Sequence, residues 1–126
     1  MIINVNNIYN ITQKIKERGI YMFIEMKTIV VKEGFGDKIV EKFSGKSKIQ
    51  ELDGFVEMSV MRRVRKSEEE EVIIEIRWEN QEAFTAWKKS DAHKAGHSNK
   101  GSEKADYIIS GKSDMYNVET IKVKSV

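Results

Sequence analysis

The spacing of apolar residues after Met22 constrains the fold more than any other feature of this sequence. Alternating apolar residues indicate half-buried strands, and apolar residues three and four apart indicate helices. In order, the periodic segments are a strand at 23–31, a helix at 37–43, strands at 55–64 and 71–78, a helix at 80–90, and a strand that is clearest from Tyr116 to Val123. The turn signal KEGFG ends the first strand, and the charged stretch RKSEEE separates the middle two.

This order, strand–helix–strand–strand–helix–strand, predicts an α+β fold of the ferredoxin-like β-α-β-β-α-β type. Its four strands form an antiparallel sheet with both helices on one face. The other face still carries apolar side chains and needs a cover. A second copy of the sheet is the simplest cover, so we expect a homodimer that closes into a dimeric α+β barrel. The alternative is a monomer whose uncovered face is half polar.

Length and local composition indicate one folded domain with an N-terminal addition. A chain of 126 residues suits a single domain. Residues 1–21 are rich in asparagine and isoleucine and have no clear period. We therefore expect residues 1–21 to be an N-terminal extension or a misassigned start, and residues 22–126 to form the functional domain.

Charge and composition argue against several classes of function. The net charge is only +2 and no run of lysine and arginine forms a stripe, so we expect no nucleic-acid binding. No segment approaches the roughly 18 apolar residues of a membrane helix, so we expect no membrane insertion. The absence of cysteine excludes disulfides, thiolate ligands and cysteine nucleophiles, and it suits a cytoplasmic protein.

The stretch AWKKSDAHKAGHSNKG, residues 86–101, contains both histidines of the chain and one of its two tryptophans. His93 and His97 lie four residues apart, a spacing that can chelate zinc from one helix face. Lys94 follows His93, so the H-E-x-x-H signature of metalloproteases is absent, and no third ligand is evident nearby. Surface histidines on a polar helix, and a Trp87 that simply belongs to the core, are the plain alternatives.

A heme pocket is another interpretation of the same stretch. A helix break at Ser90 and Asp91 would turn Trp87 and His97 toward one cavity. Gly96 has no side chain, so a flat ligand can approach the backbone there. Neutral imidazole is a common axial ligand of heme iron, which makes His97 the candidate ligand.

From Met22 onward the chain resembles the IsdG-type heme-degrading monooxygenases, and among them the bacillus-type members. This group is a branch of the dimeric α+β barrel superfamily of antibiotic biosynthesis monooxygenase-like proteins. The resemblance rests on FVEMSVMRRV, on IIEIRWENQEAFTAWKKSDAHKAGH and on the closing strand, and it covers about four fifths of the chain.

The resemblance implies an enzyme, a homodimer and a site. His97 would be the axial ligand of the heme iron, with Gly96 beside it, and Trp87 would press on the porphyrin and distort it. Heme would be both substrate and cofactor, and O2 with electrons from an external reductase would open the ring and release iron. Asp91 and Asn99 are further candidates for polar support of the site.

Lys27 departs from the family pattern, which usually has an asparagine at this position of the first strand. A buried ammonium is costly without a partner, and Glu25 lies on the same strand face. Lys27 is therefore a candidate catalytic residue that donates to bound dioxygen, although it could also pair with a heme propionate or point to solvent. The substitution favours a second hypothesis, a heme-binding module without turnover. A cofactor-free monooxygenase that acts on a polyphenol or quinol is the third.

Overall fold

The structure, a computed structural model, describes residues 22–65, 67–96 and 105–125. The expected extension at residues 1–21 lies outside this part, and its status stays a prediction. Within the described residues no helix is long and apolar enough to cross a membrane.

In the described residues, the strands and helices follow the order that the periodicity predicts. They are β1 (Phe23–Lys32), α1 (Gly36–Ser44), β2 (Phe55–Arg62), β3 (Glu69–Trp78), α2 (Gln81–Lys89), α3 (Asp91–Gly96) and β4 (Ile108–Asn117), with a short 3-10 helix at Lys48–Glu51 between α1 and β2. The strands form one antiparallel sheet in the order β2-β3-β1-β4. The predicted ferredoxin-like α+β architecture is therefore confirmed.

The strand register divides the sheet into two faces with different surroundings. One face, called the helix face below, carries on β1 and β3 the residues Phe23, Glu25, Lys27, Ile29, Val31, Val72, Ile74, Ile76 and Trp78. Ile39 of α1 and Phe84 of α2 pack into the core on this side. The opposite face, called the open face, carries on β1, β2 and β3 the residues Ile24, Met26, Thr28, Val30, Glu57, Ser59, Met61, Glu71, Ile73, Glu75 and Arg77.

Both ends of α2 lie where the sequence predicts them. Asn80 Oδ1 accepts a hydrogen bond from the Ala83 N–H at 2.8 Å, which caps the first turn. At the other end Ser90 has extended backbone angles, and its N–H donates to the Trp87 carbonyl at 3.0 Å. Ser90 Oγ then accepts from the His93 N–H at 3.1 Å, so the same residue also caps α3. The predicted helix break is confirmed.

The closing strand is the element whose position was predicted wrongly. The structure has β4 at Ile108–Asn117, whereas the alternating side chains favour a strand from Tyr116 to Val123. The physical reason is backbone pairing with β1, which begins at Phe23 opposite Asn117. Residues after Asn117 therefore extend beyond β1, and strand propensity alone does not hold them in the sheet.

An ionic cluster fixes the turn between β1 and α1. The Glu70 carboxylate accepts hydrogen bonds from the backbone N–H groups of Gly34 and Gly36 and forms an ion pair with Arg62. Arg62 also donates to Asp37 Oδ1 at 2.6 Å. The hydrogen bond from Arg62, followed by the backbone donors, lowers the pKa of Glu70 below its usual value. Gly34 has a φ of +90°, which residues with a side chain rarely adopt, so the turn depends on this glycine.

Candidate functional site

Trp87 lies on the inner side of α2, where it reaches the helix face of the sheet. Its ring centroid is 6.4 Å from that of Trp78, with 30° between the ring planes. One turn earlier, Phe84 packs with its ring centroid 5.0 Å from that of Phe23. Trp78 is fully buried but Trp87 is only partly buried. Trp87 therefore contributes to the core and still presents part of its indole outside it.

The break at Ser90 brings His93 against Trp87. The two rings meet edge to face, with centroids 4.9 Å apart and an interplanar angle of 80°. Ser90 Oγ donates to the Trp87 carbonyl at 2.7 Å while accepting from the His93 N–H, so one side chain links the end of α2 to the start of α3. The cluster of an indole and an imidazole seen in the sequence is thus a contact in space for this pair.

His97 and Asn99 lie outside the described residues, and their roles stay predictions. Helix α3 is described as far as Gly96, the residue directly before His97. Asp91 is exposed in the first turn of α3, where an acidic side chain suits the helix dipole.

Lys27 lies on the helix face, next to a buried ion pair. Glu25 is only 1% exposed, and its Oε2 atom is 3.1 Å from the Nζ atom of Lys88 on α2. Among the described residues neither Glu25 oxygen receives a well-directed hydrogen bond, so the contact is a close ion pair. Burial lowers the pKa of Lys27 from its usual 10.5, and the Glu25 charge partly opposes this shift. Lys88 and Lys42 lower the pKa of Lys27 further because they are like charges.

The partner of Glu25 was not foreseen in the sequence, where the nearby Lys27 was the candidate. The signal was present, because Lys88 lies four residues after Phe84 and therefore shares its inward helix face. A periodicity argument assigns such a lysine to solvent. Its Nζ atom instead lies over the Phe84 ring, 5.5 Å from the centroid, and reaches the buried carboxylate from there.

Beside Lys27, the helix face continues onto β4 with small residues. Ser113 lies opposite Lys27 and Gly111 opposite Ile29 in the β1–β4 register. A side-chain carbon added at Gly111 would meet no atom of the described residues within 4 Å, so none of them fills the space directly above the strand. Met115, opposite Glu25, is 50% exposed. The half of the helix face over β4 therefore offers a shallow floor next to the lysines, which we call the β4 floor (Gly111, Ser113 and Met115).

Two other cavities in the described part lie away from these residues. One, of about 450 Å³, lies at the hairpin between β2 and β3 and is lined by Arg62, Arg63, Arg65 and neighbouring acidic residues. The second, of about 520 Å³, lies between the end of α1 and β2, next to Phe43 and Phe55. Neither is lined by Trp87 or Lys27, so neither belongs to the site predicted from the sequence.

The sequence and the fold agree with a known protein family. Residues 22–99 match the sequence profile of the family described as antibiotic biosynthesis monooxygenase. The chain belongs to this family.

Within the family, the chain is similar to proteins known to degrade heme. It is 42% identical over 102 residues to the heme-degrading monooxygenase HmoA of Bacillus subtilis, a match that covers 80% of this chain and 94% of that protein. A crystal structure of a Bacillus cereus protein assigned to the antibiotic biosynthesis monooxygenases has 38% sequence identity and a TM-score of 0.75, covering 82% of this chain and 99% of that one.

The heme-degrader MhuD of Mycobacterium tuberculosis, solved with two hemes bound in its active site, has the same fold. Its TM-score is 0.62 at 22% identity, over 80% of this chain and 99% of that one.

Proposed function

We propose that this protein is a heme-degrading monooxygenase. The observation that carries the proposal is the position of Trp87, whose partly buried indole packs against Trp78 and His93 at the helix break, next to Lys88 in the chain. In the group of enzymes that the sequence resembles, a tryptophan at this position distorts the porphyrin. The 42% identity to a heme-degrading monooxygenase of Bacillus subtilis supports the same assignment.

The residues that surround this position suit a heme molecule. Heme is flat and apolar in its centre, and it carries two carboxylates at one edge. The β4 floor lacks a side chain at Gly111, and none of the described residues lies within 4 Å above that position, so a planar ring can approach the sheet there. Lys27, Lys42 and Lys88 outnumber Glu25 around the same point, which leaves positive charge for the carboxylates.

In this proposal His97 holds the heme iron through a ring nitrogen, and Gly96 allows the porphyrin to approach the backbone. Bound heme supplies the iron that activates O2, with electrons from an external reductase. Trp87, which packs against Trp78, would bear on the porphyrin and distort it. Lys27 donates a hydrogen bond into the site from β1, in the place where relatives usually have an asparagine. We further propose that the reaction takes place in the cytoplasm.

We also propose that the active form is a homodimer in which the open faces of two sheets pack together. On this face, apolar Met26, Val30 and Ile73 alternate with charged residues, and the described helices cover only the opposite side. Arg77 lies between Glu57 at 3.2 Å and Glu75 at 2.7 Å, so its charge is already compensated within one subunit. Apolar side chains beside a cation that is already paired within the subunit suit burial against a second copy.

A hemin titration followed by absorbance tests the proposed function. We expect the heme absorption band to shift on binding, and to disappear with release of iron when ascorbate or a reductase is added in air. His97→Ala is expected to abolish the band of histidine-ligated heme while the oligomeric state stays unchanged. An unaltered hemin spectrum in the presence of the wild-type protein would contradict the proposal and favour a cofactor-free monooxygenase.

Lys27 supports a second candidate function, a heme-binding module without turnover. An ammonium on β1 can pair with a heme carboxylate and need not donate to oxygen. A band that forms and then persists with reductant in air, without free iron, would favour this candidate. Lys27→Asn, which restores the residue usual in relatives, is expected to raise turnover if Lys27 is what suppresses it.

A further inference from the structure

Among the described residues, three side-chain contacts between α2 and the sheet differ in how strictly they fix the helix. Phe84 packs against Phe23, and Trp87 packs against Trp78. Both contacts are apolar, and apolar attraction is not directional, so they tolerate small shifts along the helix axis. The third contact joins Lys88 Nζ to Glu25 Oε2 at 3.1 Å, and a shift that separates these atoms leaves the buried carboxylate of Glu25 without its partner, which is costly.

The carboxylate of Glu25 stands in a position where the core would otherwise be apolar. Phe23, the neighbour of Glu25 on the same strand face, is buried. Ile76, which lies opposite Glu25 on β3, is buried as well. Desolvating a charge is costly, and replacing a buried ion pair by apolar residues of similar size is often neutral or stabilising. Stability alone therefore does not explain a buried glutamate here.

We propose that Glu25 is a positioning residue: its ion pair with Lys88 sets the place of the adjacent Trp87 against Trp78. Trp87 and Lys88 are consecutive residues of α2. A shift of the helix at Lys88 relative to β1 therefore moves the indole of Trp87 as well. The consequence for catalysis rests on the proposed function, whereas the position of Trp87 can be measured without heme.

The heme-free test is the indole N–H signal of Trp87 in a nitrogen–proton NMR spectrum. This signal responds to the rings of Trp78 and His93, which lie 6.4 Å and 4.9 Å away. Trp87→Phe assigns it, since the chain has only two tryptophans. We expect the chemical shift of this signal to change in Glu25→Gln and in Lys88→Met. Lys88→Arg keeps the positive charge, so we expect it to give the wild-type chemical shift.

Lys89→Met is the matched control, because Lys89 is the next residue on α2 but is exposed. It removes one lysine charge without touching Glu25, so we expect the Trp87 signal to stay in place. If the Trp87 indole N–H of Glu25→Gln has the wild-type chemical shift, the proposal is overturned, regardless of whether the protein binds hemin.

A double variant, Glu25→Met with Lys88→Met, separates positioning from stability. Removing both charges takes away the buried carboxylate together with its partner, and Lys27 loses one attractive and one repulsive neighbour. We therefore expect the urea midpoint to equal or exceed that of the wild type, while Lys88→Met alone lowers it. The Trp87 signal in the double variant is still expected to be displaced. A double variant with an unmoved signal would show that packing alone sets the indole, and the proposal would be wrong.

The last measurement is heme turnover by the same proteins. We expect kcat to fall about tenfold in the stable double variant, with a smaller change in KM. Lys88→Arg is expected to keep the wild-type kcat. If hemin does not bind the wild type, the proposed function fails while the displaced Trp87 signal still supports positioning. If hemin binds and turns over at the wild-type rate in the double variant, the positioning role has no catalytic consequence and is overturned.

Discussion

The rings of His93 and Trp87 meet edge to face, with centroids 4.9 Å apart and 80° between their planes. This contact gives His93 a role that differs from the one proposed for His97. His93 packs against the indole within the protein, and His97 comes directly after Gly96, the last described residue of α3. The spacing of four residues, which alone is compatible with a shared metal, is thus used for two separate purposes in the proposed site.

The first prediction concerns His93→Ala. Loss of the edge contact is expected to cost about 0.5–1.5 kcal/mol of folding free energy. The band of histidine-ligated heme should nevertheless form, because His97 is the proposed ligand. A hemin titration of His93→Ala beside His97→Ala makes the comparison. If His93→Ala loses the band and His97→Ala keeps it, the assignment of the ligand is reversed.

The second prediction concerns Trp87→Phe. A phenyl ring keeps an aromatic contact with Trp78 but covers less of a bound porphyrin. Heme should therefore still bind, and its turnover should be slower. We expect about a tenfold loss in turnover, equivalent to about 1.4 kcal/mol in the barrier. Single-turnover absorbance measures it. Tyr116→Phe, an aromatic change on the exposed end of β4, is the control and should leave the rate unchanged. Equal rates in Trp87→Phe and the wild type would remove Trp87 from the mechanism.

The third prediction follows from the lowered pKa of Lys27, which burial causes and Glu25 opposes. Between this pKa and 10.5, the unfolded chain holds more protons than the folded one. The contribution of Lys27 to the free energy of unfolding therefore rises with pH in that window. Lys27→Met should remove this rise. The free energy of unfolding of the variant should therefore exceed that of the wild type by a margin that shrinks as pH approaches 10.5.

Urea denaturation at a series of alkaline pH values measures this difference. The groups that face Lys27 from the neighbouring elements are Glu25 on β1, Lys42 on α1 and Lys88 on α2. Lys48→Met, at an exposed site in the 3-10 helix, controls for the general loss of a lysine. Parallel stability curves for Lys27→Met and the wild type would mean that the ammonium of Lys27 is well solvated.

The fourth prediction concerns Glu70 and the turn between β1 and α1. Arg62 and the backbone donors of Gly36 and Gly34 lower the pKa of Glu70 below 4.5. The carboxylate therefore stabilises the fold above pH 4.5, and this contribution is lost as pH falls through the lowered pKa. Glu70→Gln should be less stable than the wild type near neutrality and equal to it in acid. Glu68→Gln at the exposed hairpin tip should match the wild type throughout. A constant difference at all pH values would contradict this origin.

The sequence predicts the elements of this fold well because each has a strong side-chain period. β3 is the clearest case, since Val72, Ile74, Ile76 and Trp78 alternate and all are buried. β4 was misplaced because backbone pairing with β1 holds its polar residues in the sheet. Such pairing produces no alternating apolar pattern in the sequence.

The site shows the same division between local pattern and tertiary contact. Asn80 and Ser90 are local signals, and the ends of α2 followed from them. The Glu25–Lys88 pair joins residues that are far apart in the chain, and the β4 floor depends on the register of two strands. Neither can be derived from spacing along one element, so the candidate residues were predicted without their supporting contacts.

The fifth prediction tests the proposed dimer through Met61. This residue lies on the open face opposite Ile73 of β3 and is 38% exposed in a single subunit. Met61→Glu should therefore leave the subunit folded, but it would bury an uncompensated charge between two sheets. We expect light scattering after gel filtration to report a monomer.

Val64→Glu is the matched control for the dimer, since Val64 is 94% exposed at the hairpin tip beyond the sheet. The same new charge at that position should leave the dimer intact. If Met61→Glu also stays dimeric, the subunits associate through another surface. If the wild type is monomeric at every concentration measured, the uncovered apolar residues Met26, Val30 and Ile73 face solvent, and the barrel does not form.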